Sequence, residues 1–391
     1  MEKRMCMVCR RRLSECSVMS VIRVEVQFVL AALTGEGCFE VSFERFCKSE
    51  HFDDGWRAWT AFRLVMKQFF IRSLIGGSAL SVGMLAAPSL AGVDTFGQGQ
   101  DAFSLEFVSI GNAGNAADTT GNPNPSGAVS YAYNIGKNEI NRRAIDKANI
   151  GGGLGITMTD MTNYGGNAGN KPATGVSWNE AARFVNWLNT SSGFEAAYKF
   201  TTTGSNDYNE LWMPTDAGYD ASNPYRNSNA RYFITSNDEW YKAAYYNPLT
   251  STYSDYANGT NTKPSQDQAG AIYGTIGGFA FPGPYDVDAA GALSSYGTMA
   301  QGGNVWEWTE SASDLVNDSA NERRIFRGGA WTSNAAAFDL NASDRSSKFG
   351  QYDEYNLGFR VGSNSVVPAP GAIALLGMSG VLARGRRRTA R

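Results

Sequence analysis

Gln301-Gly302-Gly303-Asn304-Val305-Trp306-Glu307-Trp308-Thr309 places two tryptophans and a glutamate directly after a glycine pair. Arg327-Gly328-Gly329-Ala330-Trp331 repeats the glycine-to-tryptophan step, and Asn356-Leu357-Gly358-Phe359-Arg360 closes the set. On an extended strand Asn304, Trp306 and Trp308 share one face, while Val305 and Glu307 take the other. Gly302 and Gly303 let the backbone turn tightly and expose its carbonyls. Carbonyls beside an amide and a carboxylate form a hard-oxygen set of the kind calcium takes. The competing reading, which the chemistry alone favours, pairs Glu307 with an arginine such as Arg327 or Arg360.

Upstream, the chain mixes short strands, short helices and long loops. Phe103-Ser104-Leu105-Glu106-Phe107-Val108-Ser109-Ile110 alternates apolar and polar up to Gly111, which predicts a strand; Tyr131, Tyr133 and Ile135 predict a second. Residues 141–149 have room for one short helix. In Val176-Ser177-Trp178-Asn179-Glu180, Ser177 and Glu180 are spaced as a capping box. Ala181, Phe184, Val185 and Leu188 then fall on one face of a helix over 178–189. Ser236-Asn237-Asp238-Glu239 repeats the box and opens a helix that stops before Pro248. A tryptophan in each first turn reads as a core anchor. Residues 249–300 show little periodicity, and so long an irregular stretch implies that ions or a ligand order it. The class is α+β, irregular and loop-rich, in a single domain.

Gly303-Asn304-Val305-Trp306-Glu307-Trp308, Arg327-Gly328-Gly329-Ala330-Trp331 and Gly358-Phe359-Arg360, in this order, resemble the C-terminal half of the sulfatase-modifying-factor, or formylglycine-generating enzyme, family. Val176-Ser177-Trp178 resembles an upstream block of that family. Residues 236–244 resemble another, with Thr235 where proline is usual. The five ordered blocks cover roughly 105–362 and are far more specific than any one motif. The resemblance implies a relative of the C-type lectin fold, often holding calcium. It assigns one calcium site to the carbonyls of Gly303 and Val305 and the carboxylate of Glu307. The remaining side-chain ligand falls on Ala300, which has no oxygen to give.

The resemblance also implies where catalysis would sit. The formylglycine-generating enzymes hold copper with a cysteine pair. Ser333 stands at the first of those positions and Phe338 at about the second. A serine cannot supply the soft thiolate that holds Cu(I). A related branch binds iron through histidines. All five cysteines (Cys6, Cys9, Cys16, Cys38, Cys47) and the single histidine, His51, precede residue 66. Neither copper nor iron is therefore expected, and no catalytic residue is assigned. An enzyme on the same scaffold remains the alternative, either formylglycine-generating oxidase-like, for which the thiols are missing, or a carboxylate-based hydrolase, for which no pair of acids is singled out by spacing. A fold does not fix a function.

The ends carry a different signal. Met66-Lys67-Gln68-Phe69-Phe70-Ile71-Arg72, an apolar run over 73–87 and Pro88-Ser89-Leu90-Ala91 follow the plan of a secretory signal peptide cut after Ala91. Residues 1–65 read as a non-native or disordered leader. Its Cys6-x-x-Cys9 lacks the second pair a zinc knuckle needs. At the other end, Val367-Pro368-Ala369-Pro370-Gly371 precedes a short apolar run and Arg384-Gly385-Arg386-Arg387-Arg388. That order resembles the PEP-CTERM sorting signal of Gram-negative bacteria, with Val-Pro-Ala-Pro in place of Pro-Glu-Pro. It implies an exosortase as processing partner and a surface or matrix location reached through a transient membrane anchor. The domain organisation is thus leader 1–65, signal 66–91, domain 92–365 and tail 366–391. The domain holds 17 Lys and Arg against 28 Asp and Glu, a net charge of −11. Such an acidic surface disfavours nucleic acid and anionic lipid, leaving the membrane to the terminal segments alone. The expected function is an exported, non-catalytic module that binds a glycan or a peptide.

Overall fold

The computed structural model describes residues 21–30, 37–46, 62–63, 92–120, 125–200, 209–276, 279–280, 282–334 and 336–364. The signal segment 66–91, the tail 366–391 and most of the leader lie outside them. Two compact units divide the chain, Met1–Met84 and Leu85–Arg391. In the first, β1 (Val21–Leu30) pairs antiparallel with β2 (Gly37–Phe46), and β2 with the short β3 (Phe62–Arg63).

The second unit is α+β and loop-rich. Its main elements are β4 (Gly92–Phe96), β5 (Phe103–Ile110), β6 (Tyr133–Gly136), α1 (Arg142–Gly152), α2 (Trp178–Ser191), β7 (Tyr232–Ile234) and α3 (Asn237–Tyr245). These are followed by β8 (Trp306–Ala312), β9 (Arg323–Arg327), β10 (Ser346–Phe349), β11 (Leu357–Phe359) and β12 (Val361–Asn364). Five strands form an antiparallel sheet in the order β4-β5-β6-β12-β7. The last strand of this unit therefore lies inside the sheet that its first strand, β4, begins. A second sheet runs β10-β9-β8-β11, with β11 parallel to β8 and the other pairs antiparallel. Residues 357–364 cross from one sheet to the other, and Arg360 stands at the crossing.

The strand periodicity explains why the first sheet is covered on both sides. Phe103 and Phe107 of β5 pack into the core built on α2, with Phe184, Val185 and Leu188. Val108 and Ile110, on the opposite face, join Tyr133, Ile135, Phe233 and Ala243 of α3. Burying side chains of this kind contributes about 1.5–3 kcal/mol each. Both predicted capping boxes are closed in both directions, Ser177 with Glu180 and Ser236 with Glu239. Trp178, Trp240 and Trp308 are fully buried. Each has an acceptor for its indole N–H: Thr309 O at 3.1 Å, Glu307 Oε2 at 2.6 Å and Val176 O at 3.0 Å, respectively.

The quoted glycine blocks lie against each other. Gly303 N–H donates to Gly328 O at 2.7 Å, and Trp331 N–H donates to Asn304 O at 2.8 Å. Gly303 has φ +91°, and a Cβ there would stand 2.7 Å from Ile272 O, so both conformation and space require glycine. One expectation is corrected here. Trp306 and Trp308 do share a face, each edge-on to Phe326, but the strand starts at Trp306. Asn304 has φ +61°, a left-handed conformation that asparagine tolerates, and so falls outside the alternation. The irregular stretch 249–300 is held in part by its own side chains. Asp267 Oδ1 accepts from Ala269 and Gly270 N–H at 2.9 and 2.7 Å, and Tyr273 OH donates to Pro264 O at 2.7 Å.

Candidate functional site

The carboxylate at the centre of the glycine-tryptophan block is fully engaged. Arg360 Nε and Nη2 donate to Glu307 Oε2 and Oε1, both at 2.5 Å, and Trp240 Nε1 adds a third bond. Both members of the pair are wholly buried. The rest of the guanidinium donates to the carbonyls of Gly136, Lys137 and Met299. Of the two arginines weighed as partners, Arg360 takes Glu307; Arg327 donates to Asn237 Oδ1 and to the carbonyls of Ala342 and Asp344. A calcium ion at Gly303, Val305 and Glu307 would have to displace a guanidinium from the carboxylate, and Ala300 offers no side-chain oxygen in exchange. As arranged, these residues do not fit the ion.

Glu139 lies beside the pair, accepting from Asn304 Nδ2 at 2.6 Å and Val305 N at 3.3 Å. Burial first, and then the Glu307 charge, pushes its carboxyl well above the ordinary carboxylate range. A second buried network surrounds Arg226. It forks onto Glu239 at 2.8 and 2.9 Å and meets Glu310 at 2.7 Å, while Tyr198 OH donates to Glu310 and Tyr131 OH to Glu239. Glu239, Glu307 and Glu310 are fully buried, and Glu139 is nearly so. Glu239, Glu307 and Glu310 thus present no open face, whereas Glu139 lines a small cavity with Asn138, Asn141 and Asp288.

Ser333, where the resemblance places the first copper-binding cysteine, is 5% exposed. Its N–H donates to Ala330 O at 2.8 Å, and its Oγ accepts the Ala330 N–H at 2.9 Å. The hydroxyl thus closes a turn. Phe338 opens a short 3-10 helix, Phe338–Leu340, and is 69% exposed. No cysteine or histidine occurs in the sequence after His51. Thiolate or imidazole chemistry therefore has no ligand at these positions.

Two residues away from Ser333, the surface carries an aromatic cluster. Tyr164 and Tyr355 stack at 5.3 Å between centroids and 29° between planes. Trp331 lies 5.4 Å from the first ring and 5.9 Å from the second. The tyrosines are 39% and 37% exposed, whereas Trp331 is 6% exposed. The Trp331 indole N–H is buried without a partner, in contrast to the core tryptophans. Thr332 and Asn356, the chain neighbours of Trp331 and Tyr355, are joined by a 2.6 Å bond from Asn356 Nδ2 to Thr332 Oγ1.

The three rings come from three separate turns, each held by its own bonds. Asp160 Oδ1 accepts from Thr162 N and Oγ1 and from Asn167 Nδ2, which rigidifies the turn before Tyr164 and holds the Asp160 carboxyl down at about 2. Tyr164 N–H donates to Met161 O at 2.7 Å, and Gly283 packs so closely that a Cβ on it would reach within 1.6 Å of Tyr164 O. Near Tyr355, Leu357 N–H and Gly175 N–H both donate to Glu354 O at 3.0 Å. Sequence reasoning singled out Trp331 alone. An exposed tyrosine inside each of two polar turns was the available signal, and spacing says nothing of their meeting.

Residues 127–365 match the sulfatase-modifying factor enzyme 1-like domain. Among solved structures, the chain is similar to a Treponema denticola variable protein, variable protein 1, at 19% identity and a TM-score of 0.46, over 70% of this chain and 99% of that one. It is similar to CarF at 18% identity and a TM-score of 0.48, over 66% of this chain and 98% of that one. PvdO from Pseudomonas aeruginosa aligns at 12% identity and a TM-score of 0.43, over 69% of this chain and 98% of that one. No curated protein sequence matches.

Proposed function

Since the chain belongs to the sulfatase-modifying factor enzyme 1-like domain family, we propose that it is a non-catalytic member, a module that binds its ligand without turning it over. The observation that carries this reading is the Ser333 hydroxyl, spent on the Ala330 N–H where the resemblance places a copper-binding thiol. The absence of any cysteine or histidine after residue 51 supports it from the sequence side. So does the sealing of the central carboxylates Glu239, Glu307 and Glu310 by Arg226, Arg360 and Trp240, which closes these three acids to a substrate.

The proposal extends to location. The basic-apolar-small order over 66–91 is read as an export signal and the 366–391 segment as a sorting tail trimmed by an exosortase. The mature module then stands at the cell surface or in the extracellular matrix of a Gram-negative bacterium, with a glycan or a peptide as its ligand. Two measurements test this. The purified protein, given copper, oxygen and a cysteine peptide of the sulfatase type, is expected to leave the thiol unchanged; formylglycine formation overturns the reading. N-terminal sequencing of the exported form is expected to begin at Gly92, and a start near Met1 refutes the export signal.

A further inference from the structure

We infer that the Tyr164–Trp331–Tyr355 cluster is a carbohydrate site that stacks an uncharged or amino-substituted pyranose ring of a polysaccharide. The inference rests on the non-catalytic reading above and assigns its ligand class and its place. A pyranose has an apolar face of C–H groups and a rim of hydroxyls. It therefore needs an exposed aromatic face beside scattered hydrogen-bonding groups. Tyr164 and Tyr355 supply that face, both more than a third exposed although they stack on each other. Among the described residues neither phenol has a hydrogen-bond partner, so both hydroxyls are free to meet a sugar rim.

The Trp331 N–H strengthens the assignment. A buried donor without an acceptor costs about 1–3 kcal/mol, and this one lies in a ring that packs against both exposed tyrosines. A sugar hydroxyl oxygen that accepts from it removes that cost on binding. The Asn356–Thr332 pair adds an amide and a hydroxyl at the edge. Charge limits the sugar: a domain with 28 acids against 17 bases repels uronate or sulfate groups. A peptide fits less well. Tyr164, Trp331 and Tyr355 all lie in turns, which offer no strand edge to a peptide backbone.

The test uses the full-length protein on an array of neutral and amino-hexose oligosaccharides, with heparin and polygalacturonate as acidic comparisons and a set of unmodified peptides alongside. Binding to at least one neutral or amino glycan is expected, with little to the acidic ones. Isothermal titration with the best oligosaccharide then compares variants. Tyr164→Ala and Tyr355→Ala are each expected to weaken binding about tenfold. Trp331→Phe keeps a ring and removes the donor, with an expected loss of about three- to tenfold. Unchanged melting temperatures for the two tyrosine variants show that the fold persists. Glycan binding that ignores both tyrosine variants overturns the site. Binding to peptides alone, or to no sugar on the array, overturns the ligand class and leaves the non-catalytic reading standing. Turnover of the cysteine peptide overturns that reading itself.

Discussion

Arg360 meets Glu307 through two parallel bonds of 2.5 Å at the point where the chain passes from β11 to β12, and neither side chain is exposed. The pair thus ties the two sheets together: Glu307 belongs to β8, and Arg360 follows the strand parallel to it. Removing one partner leaves the other charged and buried. Glu307→Gln is expected to cost about 3–5 kcal/mol, since the amide cannot neutralise the guanidinium. Urea unfolding of the variant checks it. A loss below about 1 kcal/mol would show that the carbonyls of Gly136, Lys137 and Met299 satisfy Arg360 without its carboxylate.

The same pairing makes a statement about calcium. With both Glu307 oxygens held by Arg360 and Ala300 lacking a side-chain oxygen, a strong calcium site is not expected at Gly303 and Val305. Melting temperatures with excess EDTA and with millimolar calcium should therefore agree, because a ligand that does not bind the native state does not stabilise it. A calcium-dependent rise of several degrees, abolished in Glu307→Gln, would restore the ion to this site.

Ser333 gives a paired prediction that separates structure from chemistry. Ser333→Ala strips the Ala330 N–H of its acceptor, at an expected cost of about 1–3 kcal/mol because the group is buried. Ser333→Cys restores one thiol but not the pair, with Phe338 exposed near the second position. No copper-dependent oxidation of a cysteine peptide is expected from it. A stability of Ser333→Ala equal to that of the parent would mean that water replaces the hydroxyl.

What the sequence revealed followed the range of the interactions involved. The helices at 178 and 237 were legible because a capping box is complete within four residues and the apolar face follows at once. The fold was legible through the ordered glycine blocks, whose reason appears only in space, where Gly303 donates to Gly328. The partner of Glu307 stayed open between two arginines, since strand spacing brings both near and burial geometry chooses. Asn304 was misplaced on the strand because a positive φ on a residue other than glycine leaves no mark in an alternating pattern. The Tyr164–Tyr355 stack was out of reach for a related reason: residues from separate turns meet through tertiary packing, which no local period encodes.

Lys242 offers a prediction with a pH signature. It is fully buried in α3, and its ammonium donates to a single backbone acceptor, Asn112 O at 3.0 Å. Desolvation pushes its pKa down to about 8 from an ordinary 10.5. Between those values the unfolded chain binds the extra proton, so this residue makes stability rise with pH; below about 8 the native state must carry the charge or lose the proton at a cost. Lys242→Met removes the burden and keeps most of the volume, while the carbonyl of exposed Asn112 turns to water. The variant is expected to be more stable than the parent at pH 7 by about 1 kcal/mol or more. That advantage should shrink between pH 8 and 10 as the parent lysine loses its proton. Parallel melts of parent and variant across this range give the comparison. If Lys242→Met melts lower at pH 7, the bond to Asn112 outweighs the buried charge. If the gap does not change with pH, the lysine does not titrate there.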